Sequence, residues 1–223
     1  MKRRTFIILL AVPVLICVGV IAFRHVMRGP VPVGEPTARP VGEGWVDLLD
    51  AAHVGGWKNT TDTMDIFEIK DNMIHIFGRT ITPLRYVGYA PERFGNFELH
   101  LEFKLARKAN SGVFLRAKPN DPVYRGFEVQ VLEDYGKAPD KNSCGSLYDV
   151  ATPMFNLSRP AGEWNSYDIT VKGTELIVYM NGWMVLHADL GKMTKPLGKF
   201  NAPFAKYPLE GNLLLQDHGG EAW

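Results

Sequence analysis

Five side chains of this 223-residue sequence are of types that could do chemistry together: Asn110, Arg116, Glu128, Gln130 and His218. In Gly126-Phe127-Glu128-Val129-Gln130-Val131-Leu132 apolar and polar residues alternate, which puts Glu128 and Gln130 on one face of a strand. Arg116 closes the run Val113-Phe114-Leu115-Arg116, on the polar side of its strand, and Asn110 ends the turn before it. His218 sits in the Gly-flanked loop Asp217-His218-Gly219-Gly220, from which it can approach that face. A carboxylate or an imidazole can move a proton or ligate a metal, a guanidinium can hold an oxyanion, and amides can bind hydroxyls.

Each of these residues also has a plainer reading. Glu128, like Glu98 and Glu102, can be the solvated side of a half-exposed strand, and on pattern alone that is the stronger reading. Asn110-Ser111-Gly112 is ordinary turn chemistry. His218 can simply bond loop backbone, while His75 and His100 read as common strand residues. Trp164 and Trp183 suit the core better than a sugar-stacking role. Arg116 is hardest to set aside, because at the end of a buried strand it needs an anion or a carbonyl nearby.

The element that must position this set is Phe97 to Arg116. Phe97, Leu99, Leu101, Phe103 and Leu105 alternate with Glu98, His100, Glu102 and Lys104, which predicts a long strand with one face in a core. Ala106 to Asn110 reads as a turn and Val113 to Arg116 as its return, a β-hairpin. Further strands are expected at Trp45–Leu49, Phe67–Lys70, Met73–Phe77, Arg85–Tyr89, Phe127–Leu132, Trp164–Val171, Glu175–Met180, Trp183–Leu186 and Asn212–Gln216. Asp71-Asn72 and Asn181-Gly182 mark tight turns. The stretch Glu133 to Pro160 is long and irregular, as functional loops often are. Many short strands with no sustained helical period predict an all-β sandwich of two antiparallel sheets.

Composition narrows the class. A net charge of +1 gives no electrostatic reason to expect nucleic acid, and 46% hydrophobic residues suit a folded domain. Cys17 and Cys144 are the only cysteines, and Cys17 lies in an apolar leader, so the domain has no internal disulfide.

That leader is Thr5 to Phe23, uncharged, behind Lys2-Arg3-Arg4. It is long enough to span a bilayer and lacks a small-residue cleavage site. Residues 1–28 are therefore expected to be a retained single-pass transmembrane helix in the inner membrane, meeting lipid through residues 5–23. The basic cluster places the N-terminus in the cytoplasm and the globular domain in the periplasm. Residues 29–44 are a Pro- and Gly-rich linker, and residues 45–223 are the sandwich domain.

Phe97-Glu98-Leu99, Asn110 to Arg116, Gly126 to Gln130, Gly162-Glu163-Trp164-Asn165, Asn181-Gly182 and Leu215 to Gly219, taken in order, resemble the 3-keto-disaccharide hydrolase family. The resemblance runs from about Trp45 onward. It implies a concanavalin A-like jelly roll and chemistry on sugars already oxidised at C3. Such a sugar has an acidic C2–H beside the ketone and a leaving group β to it. Cleavage needs a base, an electrophile for the enolate oxygen and an acid. Glu128, His218 and Arg116 fit those catalytic roles, with Glu128 or His218 also able to ligate a divalent metal, although no ligand spacing marks one. Asn110 and Gln130 would bind substrate. The family carries an Asp soon after its Glu-x-Gln motif, and Glu133 and Asp134, both in that neighbourhood, would join them in binding substrate. The family also continues past His-Gly into a final strand; this sequence reads Glu221-Ala222-Trp223 there. Either further residues complete the sheet, or an open edge is left that something must cover.

Two functions follow as expectations. One is a non-catalytic accessory subunit of an integral-membrane complex, docked by its helix and its sheet edge, on a fold inherited from sugar-active proteins. The other is a membrane-tethered periplasmic 3-keto-glycoside hydrolase, lyase or carbohydrate-binding protein. The anchor and the edge favour the first.

Overall fold

A computed structural model describes residues 31–60, 64–79 and 82–223. The expected transmembrane helix lies outside the described residues, and among those described no helix is long and apolar enough to cross a membrane. The compact body is Val33–Trp223.

Its strands are β1 (Trp57–Asn59), β2 (Phe67–Lys70), β3 (Met73–Ile76), β4 (Arg85–Tyr89), β5 (Phe97–Lys104), β6 (Asn110–Ala117), β7 (Phe127–Leu132), β8 (Trp164–Lys172), β9 (Glu175–Met180), β10 (Trp183–Asp189) and β11 (Asn212–Asp217). They form a five-stranded sheet, β1-β4-β11-β6-β7, a four-stranded sheet, β10-β9-β8-β5, and the separate pair β2-β3. All these pairings are antiparallel, so the fold is an all-β sandwich.

The alternation read from the sequence decides which side chains fill the space between the sheets. Val129, Val113, Leu215 and Val87 lie in one cross-strand row of the five-stranded sheet. They face Phe103, Tyr167, Ile169, Val178 and Met180 from the other sheet, in one continuous core. Full burial of side chains of this size contributes roughly 1.5–3 kcal/mol each, and with Cys144 a free thiol there is no cross-link to assist them. Two turns behave as their residues demand. Asp71-Asn72 and Asn181-Gly182 all have positive φ, joining Lys70 to Met73 and Met180 to Trp183.

Three expectations are corrected. Phe97–Arg116 is not a hairpin: β5 pairs with β8 and β6 with β7 and β11, in different sheets. Alternation told which face is apolar but not which strand lies alongside; Ala106–Ala109 carries the chain from one sheet across to the other. Trp45–Leu49 is not a strand. Asp47 accepts a hydrogen bond from the Leu49 N–H and Asp50 accepts from Ala52 and His53, so the segment winds into turns and the first strand forms at Trp57. Trp164 and Trp183 are exposed, at 38% and 50%, while Tyr167 and Met180 take the inward positions.

Candidate functional site

The outward side of the five-stranded sheet carries a cluster of titratable and amide side chains. Because Val113, Val129 and Leu215 point inward, their neighbours point out. Glu128 stands opposite Phe114, Gln130 opposite Gly112, and Gln216 opposite Tyr86. Outward does not mean exposed here: Glu128, Gln130, Gln216, Phe114 and Tyr86 are all buried. Leu84 and Val123 pack over Tyr86, Phe114 and Leu214. The long loop folds along the β7 edge, with the Tyr148 N–H donating to the Glu128 carbonyl and Ser146 O accepting from the Gln130 N–H.

Glu128 is the most perturbed carboxylate. Burial pushes its carboxyl up to about 8, with the Lys199 ammonium pulling the other way. Lys199 is held by its backbone: its N–H donates to Asp149 Oδ2 at 2.5 Å. Gly198 makes that approach possible. Its φ is +55°, and a Cβ there would collide with the Asp149 carbonyl. The Lys199 ammonium rests 4.2 Å from the centre of the Tyr148 ring. Burial lowers its pKa, against the charges of Glu128 and Asp149. The Tyr148 phenol is pushed up by burial and then by the Glu128 charge. Burial also lifts the Tyr86 phenol, to about 12.

His218 enters from the loop after β11. Its Nδ1 is 2.9 Å from Asn110 Nδ2, and burial, followed by Lys199, lowers its pKa against the pull of Asp217. Asn110 therefore governs the tautomer. With Nδ2 donating, the ring proton sits on Nε2; with the amide turned over, the buried and unpartnered Oδ1 accepts from Nδ1–H and Nε2 becomes a free base.

The structure thus gathers Glu128, Gln130, Asn110 and His218 on one side of the sheet and adds Lys199, Tyr148, Tyr86 and Gln216. It does not bring Arg116 with them. Arg116 has a left-handed φ of 48° at a register irregularity beside β11. Its Nε and Nη2 donate to the Gly95 carbonyl, at 2.9 and 2.6 Å, and Nη1 to the Gly173 carbonyl at 2.6 Å. Those carbonyls lie at the end of the opposite sheet, and they meet the need for a partner that the sequence raised.

Glu133 and Asp134 hold backbone instead of facing the cluster. Glu133 accepts from the Lys108 N–H, and the buried Asp134 accepts from the Cys144 N–H and the Ser158 hydroxyl. Gln130 folds its Oε1 onto the Val131 N–H. Among the described residues no group of three or more His, Cys, Asp or Glu is placed to hold a metal.

With this geometry in hand, the family relationship is direct. The family model of the 3-keto-alpha-glucoside-1,2-lyase-like domain matches residues 44–223. The chain belongs to this family. A Bacteroides thetaiotaomicron protein named 3-keto-disaccharide hydrolase is 31% identical over an alignment of 166 residues that covers 59% of this chain and 57% of that relative. The chain thus spans little more than half the length of the curated relative it matches. A crystal structure of a proposed glycosyl hydrolase from Parabacteroides distasonis is 25% identical with a TM-score of 0.62, covering 75% of this chain and 85% of that one. A Bacillus subtilis protein with a galectin-like fold matches at a TM-score of 0.52 and 13% identity, over 79% and 89% of the two chains, which shows shared fold alone. The fold is that of carbohydrate-active proteins.

Lys199 and Tyr148 were not legible as site residues. Lys199 lies in Lys192–Phe200, where no alternation or motif singles it out. Tyr148 carried one usable signal, its place in the long irregular loop.

Proposed function

We propose that the domain cleaves a 3-keto glycoside by elimination across C1–C2, with Glu128, Lys199 and His218 as the working groups. The single observation that carries this is the pairing of a carboxyl raised to about 8 with an imidazole lowered from its usual value, both within the field of one lysine. Two titratable groups driven in opposite directions are the pattern of an acid and a base. At neutral pH the carboxyl holds its proton and the imidazole does not.

His218 Nε2 takes the C2 proton while Asn110 Oδ1 holds the ring through Nδ1–H. The electron pair moves into the C2–C3 enolate, whose charge develops on the C3 oxygen beside the Lys199 ammonium. Collapse of the enolate forms the C1–C2 double bond and expels the glycosidic oxygen, which takes the proton of Glu128. The products are an unsaturated 3-keto sugar and the freed alcohol; addition of water across the double bond completes a net hydrolysis. No step runs through Arg116.

The apolar run at residues 5–23 supports a tether that holds this activity outside the cytoplasm. The accessory-subunit reading draws on that same run and on the open sheet edge. It gives no reason for burying the carboxyl of Glu128, which is costly to ionise there.

The test is to incubate the full chain, in lipid nanodiscs, with a 3-keto-α-glucoside in deuterated buffer. Release of the aglycone together with an enone absorbance and deuterium at C2 of recovered substrate is expected. Aglycone release with neither enone nor C2 exchange would contradict elimination, and no turnover at all would contradict the enzyme.

A further inference from the structure

The elimination leaves an unsaturated sugar and a Glu128 carboxylate that has given up its proton. That carboxylate leans over Gly112. Leu214 and Leu215 stand opposite Phe114 and Val113, and the next step of that register sets Gln216 beside Gly112. Gln216 in turn stands opposite Tyr86. Neighbouring strands lie about 4.8 Å apart, so the carboxylate, the Gln216 amide and the Tyr86 phenol follow one another across the outward side of the sheet.

Tyr86 and Gln216 are more than nine-tenths buried, at 4% and 3% exposure. Yet neither Tyr86 Oη nor Gln216 Oε1 has a hydrogen-bond partner among the described residues. Burying a hydroxyl and an amide oxygen unpaired is costly, so two such atoms side by side point to a small polar group held between them. Phe114, with Leu84 and Val123 packed on the same cluster, offers no polar partner. Burial lifts the Tyr86 phenol, the nearby Gln216 eases it and the Glu128 charge lifts it again, to about 12. Tyr86 is therefore a hydrogen-bond donor at neutral pH, within the field of Glu128.

We propose that Tyr86, Gln216 and Glu128 hold a water molecule that hydrates the unsaturated sugar at C1, so that one site runs both halves of the hydrolysis. The inference rests on the placement of C1 beside Glu128 in the elimination. Three polar partners are an ordinary complement for a buried water. The water donates to Gln216 Oε1 and to the Glu128 carboxylate, accepts from the Tyr86 O–H, and keeps one lone pair for C1. As the C1–O bond forms, Glu128 takes a proton from the water. The C1–C2 double-bond pair shifts to C2–C3, and the carbonyl pair moves onto the C3 oxygen beside Lys199. Collapse of that enolate takes back to C2 the proton held by His218. Glu128 is again protonated and His218 neutral, the states from which the elimination began.

The experiment gives the full chain in nanodiscs two substrates in turn, a 3-keto-α-glucoside and the unsaturated 3-keto sugar itself. Aglycone release and loss of enone absorbance are followed separately for the native chain, Tyr86→Phe and Gln216→Met. The native chain is expected to consume added enone well above the spontaneous rate, and each variant about tenfold more slowly. From the glucoside, the ratio of enone to hydrated sugar should rise about tenfold in each variant. Aglycone release by a native chain that does not hydrate added enone would overturn the water site and leave the elimination standing. Hydration without aglycone release would overturn the elimination alone, and neither reaction would overturn both. Variants that hydrate as fast as the native chain, or that lose aglycone release and hydration in equal proportion, would overturn the assignment of Tyr86 and Gln216.

Discussion

Gly112 lies directly beneath the carboxylate of Glu128: a Cβ added at Gly112 would overlap Glu128 Oε1. The two belong to adjacent strands, with Gly112 opposite Gln130 and Glu128 opposite Phe114, so the carboxylate leans diagonally onto the one residue of β6 that leaves it room. The turn reading of Asn110-Ser111-Gly112 does not account for this glycine, which sits inside a paired strand and leaves space for an acid.

Gly112→Ala is accordingly expected to displace the carboxylate while leaving the sheet paired, since a strand tolerates alanine. Turnover of a 3-keto glycoside should fall at least about tenfold for a shift of the order of an ångström in the acid. Steady-state kinetics beside a thermal melt checks it; unchanged turnover would mean that the position of Glu128 does not matter.

Stability should record the burial of Glu128. Its folded pKa is raised, to about 8 from an ordinary 4.5. The unfolded chain therefore releases this proton first as pH rises, and the folded state loses stability between about pH 4.5 and 8. Glu128→Gln removes the titration. The variant should match the native chain near pH 4.5 and exceed it near pH 8 by on the order of a few kcal/mol, read by denaturant unfolding at both pH values. A difference independent of pH would contradict the assignment.

Arg116 should separate stability from activity. Arg116→Met leaves the Gly95 and Gly173 carbonyls without their donor, which costs about 3 kcal/mol, or about 10 °C in Tm for a body of this size. The kcat of the folded variant is expected to stay within about twofold of native. Loss of kcat with an unchanged Tm would return Arg116 to the active site.

Much of the fold was legible in the residues, because a period of two survives wherever one face of a strand is buried. Phe97 to Lys104 and Phe127 to Leu132 stand where alternation put them. Partnership was not legible. The same apolar stripe on β5 and β6 fits a hairpin or a crossing between sheets, and only the packing of both against Tyr167 and Val129 selects the crossing. The site was half legible for a related reason. Glu128, Gln130 and Asn110 belong to strands and could be assigned to a face, whereas Lys199 reaches them from a loop whose course depends on Gly198 and Asp149. Arg116 was misplaced because its residue type announces a need for a partner without saying which, and backbone carbonyls supply one as well as an oxyanion does.

The pH dependence of kcat/KM should follow the two displaced groups. The rising limb belongs to His218, which loses its proton below the usual histidine range near 6.5 because burial and Lys199 oppose its charge and only Asp217 supports it. The falling limb belongs to Glu128 and lies near pH 8, set by burial against Lys199. In Lys199→Met both limbs should move up, since the same positive charge holds both pKa values down. A profile whose limbs ignore this substitution would show that Lys199 does not share the site.

The most direct measurement is turnover of a 3-keto-α-glucoside by Lys199→Met, compared with the native chain under identical conditions. If the Lys199 ammonium stabilises the enolate oxygen, kcat should fall about 100-fold or more, the usual consequence of removing one oxyanion donor, with the far-ultraviolet circular dichroism and Tm kept. A variant that folds and retains native kcat would contradict the account at its centre.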